Sequence, residues 1–227
     1  MRIGLYPGTF NPIHIGHLTV INYSVENLEL DLLYVIPNKY PVHKQRKYII
    51  DPLVRLKMIE LSIRDMIYKN KIKVSDFEVK NSLDSYTFFT VDYFRNIYPS
   101  DELFLIIGID SLIFYYWQNF DLIFKLVDFF VLINTMHVKG SILDFVKQKL
   151  EKLSQEDKEH NKDLLTIINY GMENLDKKFI LLDIPVILIS SSLIWERLEN
   201  KKSIDYWVNE KVKKMLYEFR SLGRGGI

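Results

Sequence analysis

The sequence has no cysteine among its 227 residues, which excludes disulfides, zinc sites with thiolate ligands and thiol nucleophiles. Neither charge is in excess, since 30 Lys and Arg stand against 29 Asp and Glu, so no overall field favours nucleic acid or a membrane surface. No apolar run reaches the roughly 18 residues of a membrane span, and no signal peptide precedes the first strand pattern. We therefore expect a cytoplasmic protein without nucleic-acid or membrane partners, in which any cationic site is local.

Short apolar runs bounded by turn residues alternate along the chain with stretches of helical spacing. Six such runs are predicted strands: Ile3–Tyr6, Leu32–Pro37, Ile72–Val79, Leu103–Gly108, Phe129–Ile133 and Phe179–Leu188. Helical spacing is clearest over Leu18–Leu28, Leu53–Ile63 and Val208–Phe219. This alternation predicts an α/β fold, a Rossmann-like, doubly wound, mostly parallel sheet with helices on both faces. Ligands of such sheets bind beyond the carboxyl ends of the strands.

The length of 227 residues is sufficient for one α/β domain with a sizeable core. Residues 139–178 differ from the rest, because a charged stretch of helical spacing is followed there by a polar run of alternating charges. We expect a single domain over residues 1–227, with a polar helical insertion at 139–178 and C-terminal helices at 191–220.

A loop of mostly small and polar residues, Gly8–His17, follows the first predicted strand and opens a helical pattern. A strand, a small-residue loop and a helix in this order direct backbone N–H groups and the positive end of the helix dipole at one point, where an anion binds well. His14 and His17 can both donate hydrogen bonds to phosphate there, and Gly16 lets a large anion approach the backbone. The plainer alternative, a tight turn with two exposed histidines, does not explain the strand and helix on either side.

Two clusters at later strand ends could hold further phosphates. Lys44 lies in a basic segment after the second strand, where a flexible ammonium could follow the β- and γ-phosphates of a triphosphate. An ordinary solvated basic loop would have the same composition. The run Ile189–Ser192 places hydroxyl groups at a strand-to-helix junction, where they add donors at a second helix N-terminus. A simple helix cap would need only one serine.

Two other clusters would suit a nucleoside or a base. The strand ending at Gly108 can bring its backbone against a nucleoside, while the carboxylate of Asp110 accepts from ribose hydroxyls or an amino group. Trp117 offers a flat face on which an aromatic ring can stack, and a buried core tryptophan is the alternative. A polar turn before a helix contains Ser85 and Thr87, either of which could cap that helix.

The loop Gly8–His17, called the histidine loop below, resembles the H-x-G-H signature of the nucleotidyltransferase superfamily. The other clusters resemble, in the same order, motifs of the bacterial nicotinate mononucleotide adenylyltransferases, and the resemblance extends from Ile3 to Tyr217. It implies that a phosphate of nicotinic acid mononucleotide attacks the α-phosphorus of ATP without a covalent intermediate. The products would be pyrophosphate and deamido-NAD, an NAD-type product of NAD biosynthesis, and Mg²⁺ would accompany ATP rather than occupy a carboxylate cage.

The resemblance also assigns roles to single residues. His17 would stabilise charge on the leaving pyrophosphate, with His14 and Lys44 as further catalytic groups. The implied ATP-binding residues are Gly8, Thr9, Phe10, Gly16, Gly108, Asp110, Ile189, Ser190 and Ser191. The implied mononucleotide-binding residues are Ser85, Tyr86, Thr87 and Trp117.

Some positions depart from the family pattern. Trp195 occupies the place of an arginine, Asn134–Met136 replaces an R-P-G sequence, and Phe89 stands where an acidic residue is usual. Because an indole has one donor and no charge, we expect Trp195 to mark a weakened triphosphate clamp. A catalytically weakened nucleotide-binding regulator is therefore one alternative.

A second alternative is a phosphopantetheine adenylyltransferase, which looks similar at residues 14–17 and 189–192. Those enzymes are usually shorter and lack the patterns at residues 41–44 and 85–87. The sequence does not distinguish nicotinate from nicotinamide preference, and it leaves open whether the protein forms a homo-oligomer.

Overall fold

The computed structural model describes residues 1–41, 49–81, 86–109, 111, 117, 119–133, 179–185 and 187–221. The strands are β1 Arg2–Gly8, β2 Leu32–Pro37, β3 Ile72–Val74, β4 Glu102–Gly108, β5 Phe129–Ile133 and β6 Phe179–Leu182. The helices of the described residues are α1 Ile15–Asn27, α2 Pro52–Ile63, α3 Phe77–Lys80, α4 Thr87–Ile97, α5 Phe120–Leu126, α6 Ser191–Glu199 and α7 Glu210–Ser221, with a 3₁₀ turn at Lys69–Lys71. The predictions for Lys44, Ser85, Asp110 and the 139–178 segment lie outside the described residues.

The strands form a six-stranded sheet in the order β3-β2-β1-β4-β5-β6. The β1–β4 pairing places Leu5 opposite Leu105, and the β4–β5 pairing places Ile106 opposite Val131, both in parallel register. Strands β5–β6 and β2–β3 also pair in parallel. This is the strand order of the Rossmann-like, doubly wound fold, so the predicted fold class is confirmed.

The chain divides into two compact units, and the first contains Met1–Tyr6 and Tyr86–Ile184. Strands β4 and β5 are buried almost throughout, as near-continuous apolar runs in a parallel sheet should be. Phenylalanine rings extend this core across β5, with the Phe130 ring stacked 5.3 Å from Phe120 and 5.1 Å from Phe179. The first unit therefore has a largely aromatic and aliphatic core.

The second unit contains Pro7–Ser85 and Pro185–Ile227. Helix α2 packs against α7. The helical spacing of α2 was predicted to begin at Leu53, but Leu53 is 60% exposed, and the buried face includes Arg55 and Met58 together with Ile59. Helix α2 begins sharply, because the carboxylate of Asp51 accepts from the N–H groups of Leu53 and Val54 at 2.8 and 3.3 Å and Pro52 occupies the first turn. The single domain expected from the sequence remains a prediction.

Two predicted strands end early. The run Ile72–Val79 is a strand only to Val74, because the chain turns into α3 with the hydroxyl of Ser75 accepting from the Phe77 N–H at 3.3 Å. The run that begins at Phe179 ends at Leu182, and Leu188, predicted as part of the strand, is 80% exposed.

The cap of α4 also differs from the prediction. Tyr86 is the N-cap, and its side chain makes no capping hydrogen bond. Thr87 is the first helical residue rather than the cap.

The helices of the described residues include none with both the length and the apolar character needed to cross a bilayer.

Candidate active site

The loop after β1 is folded around the side chain of Phe10. Phe10 has a left-handed backbone with φ of 47°, and its side chain is only 2% exposed. Its ring lies against Gly8 so closely that a Cβ there would be 2.9 Å from the ring. The same ring meets the His17 imidazole edge-on, with centroids 5.0 Å apart. Gly8 therefore permits a close contact that fixes Phe10 and, through Phe10, one side of His17.

The two histidines face each other at the start of α1. Their ring centroids are 3.8 Å apart, and the backbone N–H of His14 donates to Nδ1 of His17 at 3.2 Å. Because that nitrogen accepts a hydrogen bond, the neutral imidazole of His17 carries its proton on Nε2. His17 can thus donate a hydrogen bond from Nε2 to an anion.

Gly16 leaves room for the His14 ring beside the backbone of α1. A Cβ at this position would be 3.1 Å from the His14 ring and 3.6 Å from the carbonyl oxygen of Ile189. The glycine lets the His14 ring lie against the first turn of α1. The N–H of Ile15, also in this turn, donates to the carbonyl oxygen of Trp207 at 2.8 Å.

The start of α6 is hydrogen-bonded to two successive carbonyls of the histidine loop. The Ser191 hydroxyl donates to the carbonyl oxygen of Pro12 at 3.1 Å, and Nε1 of Trp195 donates to that of Asn11 at 3.0 Å. The Ser190 hydroxyl instead accepts from the N–H of Leu193 at 3.1 Å, which makes Ser190 the cap of α6. The two serines have different functions, one as a helix cap and one as a contact to the loop.

Trp195 is mostly buried, with 9% of its surface exposed. The sequence predicted that Trp195 marks a weakened triphosphate clamp, because an indole cannot bind phosphate as an arginine does, and this stays a prediction. In the structure this indole is part of the support of the loop.

Arg55 is a functional candidate to which sequence reasoning assigned no role in the site. Its side chain is fully buried, and it donates to the carbonyl oxygens of Thr9 at 2.6 Å, Asn38 at 2.7 Å, Lys39 at 2.9 Å and Ile50 at 2.9 Å. Burial lowers the pKa of the guanidinium to about 10, although the carboxylates of Asp51 and Glu78 act in the opposite direction. The group remains charged at neutral pH.

A sequence signal for Arg55 did exist. Arg55 shares the buried face of α2 with Met58, Ile59 and Ser62, which follow it at helical spacing. A charged residue on an apolar stripe indicates a buried and paired charge.

The residues predicted to bind ATP fall mostly in the second unit. The structure brings the histidine loop together with the Ile189–Ser191 junction there. Asn38 joins the same group, since its Nδ2 donates to the Thr9 hydroxyl at 3.2 Å and its backbone N–H donates to the carbonyl of Gly8 at 3.0 Å.

The first unit contains the other predicted site residues that are described. Gly108 ends β4 and is in register with Ile133 of β5. Trp117 is buried, with its Nε1 donating to the carbonyl of Ser111 at 3.0 Å and its ring edge-on to Phe120 at 5.6 Å. Stacking of a pyridine ring on Trp117 remains a prediction.

Among the described residues, no group of three or more His, Asp or Glu side chains could hold a metal ion.

Comparisons with known proteins identify the family of this chain. Residues 5–197 match the Cytidylyltransferase-like family. A probable nicotinate-nucleotide adenylyltransferase of Clostridium novyi is 34% identical over 214 residues, which are 94% of each chain. The nicotinate-nucleotide adenylyltransferase of Bacillus subtilis is 29% identical over 96% of each chain.

The fold is similar to that of a solved Plasmodium falciparum nicotinic acid mononucleotide adenylyltransferase complexed with NaAD. The TM-score is 0.67 at 21% identity, over 96% of this chain and 98% of that one. The full-length identity to the bacterial sequences is what decides the family. This chain belongs to the nicotinate-nucleotide adenylyltransferases, within the cytidylyltransferase-like family.

Proposed function

We propose that the chain transfers the adenylyl group of ATP to nicotinic acid mononucleotide, giving deamido-NAD and pyrophosphate in NAD biosynthesis. The observation that carries this proposal is the orientation of His17. Its Nδ1 accepts from the backbone of His14 at 3.2 Å, so Nε2 is the donor. It lies in the first turn of a helix whose dipole favours an anion.

The reaction needs no covalent intermediate. An oxygen of the mononucleotide phosphate forms a bond to the α-phosphorus of ATP, and the bond from that phosphorus to the bridging oxygen of the β-phosphate breaks. The electron pair leaves with pyrophosphate. The enzyme then contributes by orienting the two substrates in line and by neutralising charge on the leaving group.

In this scheme His17 donates from Nε2 to the leaving pyrophosphate and His14 donates to a second phosphate oxygen. The N–H of Ile15 is already bonded to Trp207, which increases the importance of the imidazoles. Ser191 holds the start of α6 against the loop through the Pro12 carbonyl, and Ser190 caps that helix. Lys44 would contact the β- and γ-phosphates. Mg²⁺ would accompany ATP and would neutralise part of the charge of the triphosphate.

The test is pyrophosphate release with ATP and one acceptor at a time. Nicotinate mononucleotide should be turned over, and deamido-NAD should appear in equal amount by chromatography. The variant His17→Ala, prepared identically, controls for contaminating enzymes. Turnover with phosphopantetheine instead would support the phosphopantetheine enzyme, and ATP binding without turnover of any acceptor would support a regulator. Nicotinamide mononucleotide, as a third acceptor, measures the preference for the base.

A further inference from the structure

The guanidinium of Arg55 uses all of its hydrogen-bonding capacity within the second unit. Its five hydrogen bonds go to neutral oxygens, four backbone carbonyls and the side-chain amide of Asn38. A guanidinium has five N–H donors in a fixed plane. The oxygens around Arg55 are therefore arranged to match that plane.

A buried charge is a costly way to stabilise a helix face. Removing a cation from water is unfavourable even when it is well paired, and apolar residues such as Met58 and Ile59 occupy the same face of α2. A side chain that served packing alone would need no charge. The positions of its partners suggest what the charge does.

Those partners belong to three separate segments of the chain. Thr9 lies at the start of the histidine loop, Asn38 and Lys39 follow β2, and Ile50 precedes α2. The Asn38 side chain extends the arrangement, since it accepts from Arg55 at 3.3 Å and donates to the Thr9 hydroxyl at 3.2 Å. The first residues of the histidine loop are thus tied to the end of β2 through one planar group.

We propose that Arg55 is a positioning residue for ATP: by holding Thr9 against the chain after β2, it fixes the histidine loop in the geometry that binds the triphosphate. This inference rests on the proposed function, which assigns the loop to ATP. Lysine cannot replace Arg55, because an ammonium has three donors and no planar fork.

The test compares Arg55→Lys with a matched control in the first unit. Arg95 also binds several backbone carbonyls, those of Leu126, Tyr98 and Asp101 at 2.8 to 3.2 Å, and it contacts no residue of the histidine loop among its described partners. Both lysine variants should lower Tm. At a temperature below the Tm of both variants, Arg55→Lys should lower kcat/KM for ATP by about 10- to 100-fold. Its KM for the mononucleotide should change by less than about twofold. Arg95→Lys should leave both values close to wild type.

Equal kinetics for the two lysine variants would overturn the inference, because Arg55 would then act on stability alone. If Arg55→Lys does not fold, Asn38→Ala decides the question, since it removes the half-buried link between Arg55 and the Thr9 hydroxyl. A raised KM for ATP in Asn38→Ala supports the inference, and an unchanged KM overturns it. If the wild type shows no turnover, the proposed function fails separately. The affinity of a non-hydrolysable ATP analogue, measured by calorimetry on the same variants, then tests Arg55.

Discussion

At the scale of the residue, the site depends on which atom of each side chain is already in use. Nδ1 of His17 already accepts a hydrogen bond from the backbone N–H of His14. The Ser190 hydroxyl accepts from the N–H of Leu193 as the cap of α6. These contacts separate groups that can meet a substrate from groups that position them. They also indicate which substitutions should affect rate and which should affect stability.

His17→Ala should lower kcat by about 100-fold or more, with a smaller effect on ATP affinity, because the lost donor acts on charge that develops in the transition state. His17→Gln is the matched control, since its amide nitrogen lies near the position of Nε2 and should restore part of the rate. Steady-state kinetics with ATP as the varied substrate measure both. Near-normal turnover of the alanine variant would contradict the assignment.

Trp195→Phe should lower the free energy of unfolding by about 1 kcal/mol, because it removes the donor to the Asn11 carbonyl and leaves the ring buried. Trp195→Arg should cost more, since it places a charge at a site that is 9% exposed. Urea denaturation of both variants tests this order. If Trp195→Arg is as stable as wild type and lowers KM for ATP, the weakened clamp expected from the sequence is the better account.

At the scale of the element, two helix N-termini are joined through one loop. The Ser191 and Trp195 side chains on α6 hold carbonyls of Pro12 and Asn11, immediately before the first turn of α1. The loop before α1 is thus held in place by contacts from α6. A substitution in the first turn of α6 should therefore change the positions of His14 and His17.

Ser190→Ala and Ser191→Ala should separate capping from loop support. Ser190→Ala should cost about 1 kcal/mol of stability through loss of the cap with little change in KM for ATP. Ser191→Ala should change stability less and raise KM for ATP, because the Pro12 carbonyl loses its donor. Thermal unfolding and ATP kinetics on the pair give the comparison. The same kinetic defect in both would show that the cap and the loop are not separable.

The sequence predicted these elements well wherever the signal was local. Strand β5 and helix α2 were placed to within one or two residues of their bounds, because apolar runs and helical spacing are read within a few residues. The supports of the loop were not predicted, since Trp195 and Asn11 are 184 positions apart and Arg55 and Thr9 are 46 apart. No short pattern encodes a contact of that kind.

At the scale of the whole molecule, the described site residues fall into two groups. The histidine loop, Ile189–Ser191 and Arg55 belong to the second unit, and Tyr86, Thr87 and Trp117 belong to the first. The predicted roles follow the same division for most positions, with ATP contacts in the second unit and mononucleotide contacts in the first. Gly108, predicted for ATP, is the exception among the described residues.

Trp117→Ala should raise KM for the mononucleotide far more than KM for ATP. If base stacking is the guide, the loss in kcat/KM for the mononucleotide corresponds to roughly 1 to 3 kcal/mol. Trp117→Phe is the control, because it keeps a ring beside Phe120 and removes only the donor to Ser111. Mononucleotide kinetics and Tm are measured together. Equal damage to both substrates with a lower Tm would identify Trp117 as a core residue.

The bond between the Ile15 N–H and the Trp207 carbonyl has a consequence for protein synthesis. Together with the contacts from Ser191 and Trp195, it means that the histidine loop is held by residues that are synthesised much later than the loop itself. A nascent chain that carries both histidines has these three contacts only after positions 191, 195 and 207 have been translated. Catalytic competence should therefore arise only after position 207, and products terminated before position 191 should not consume ATP.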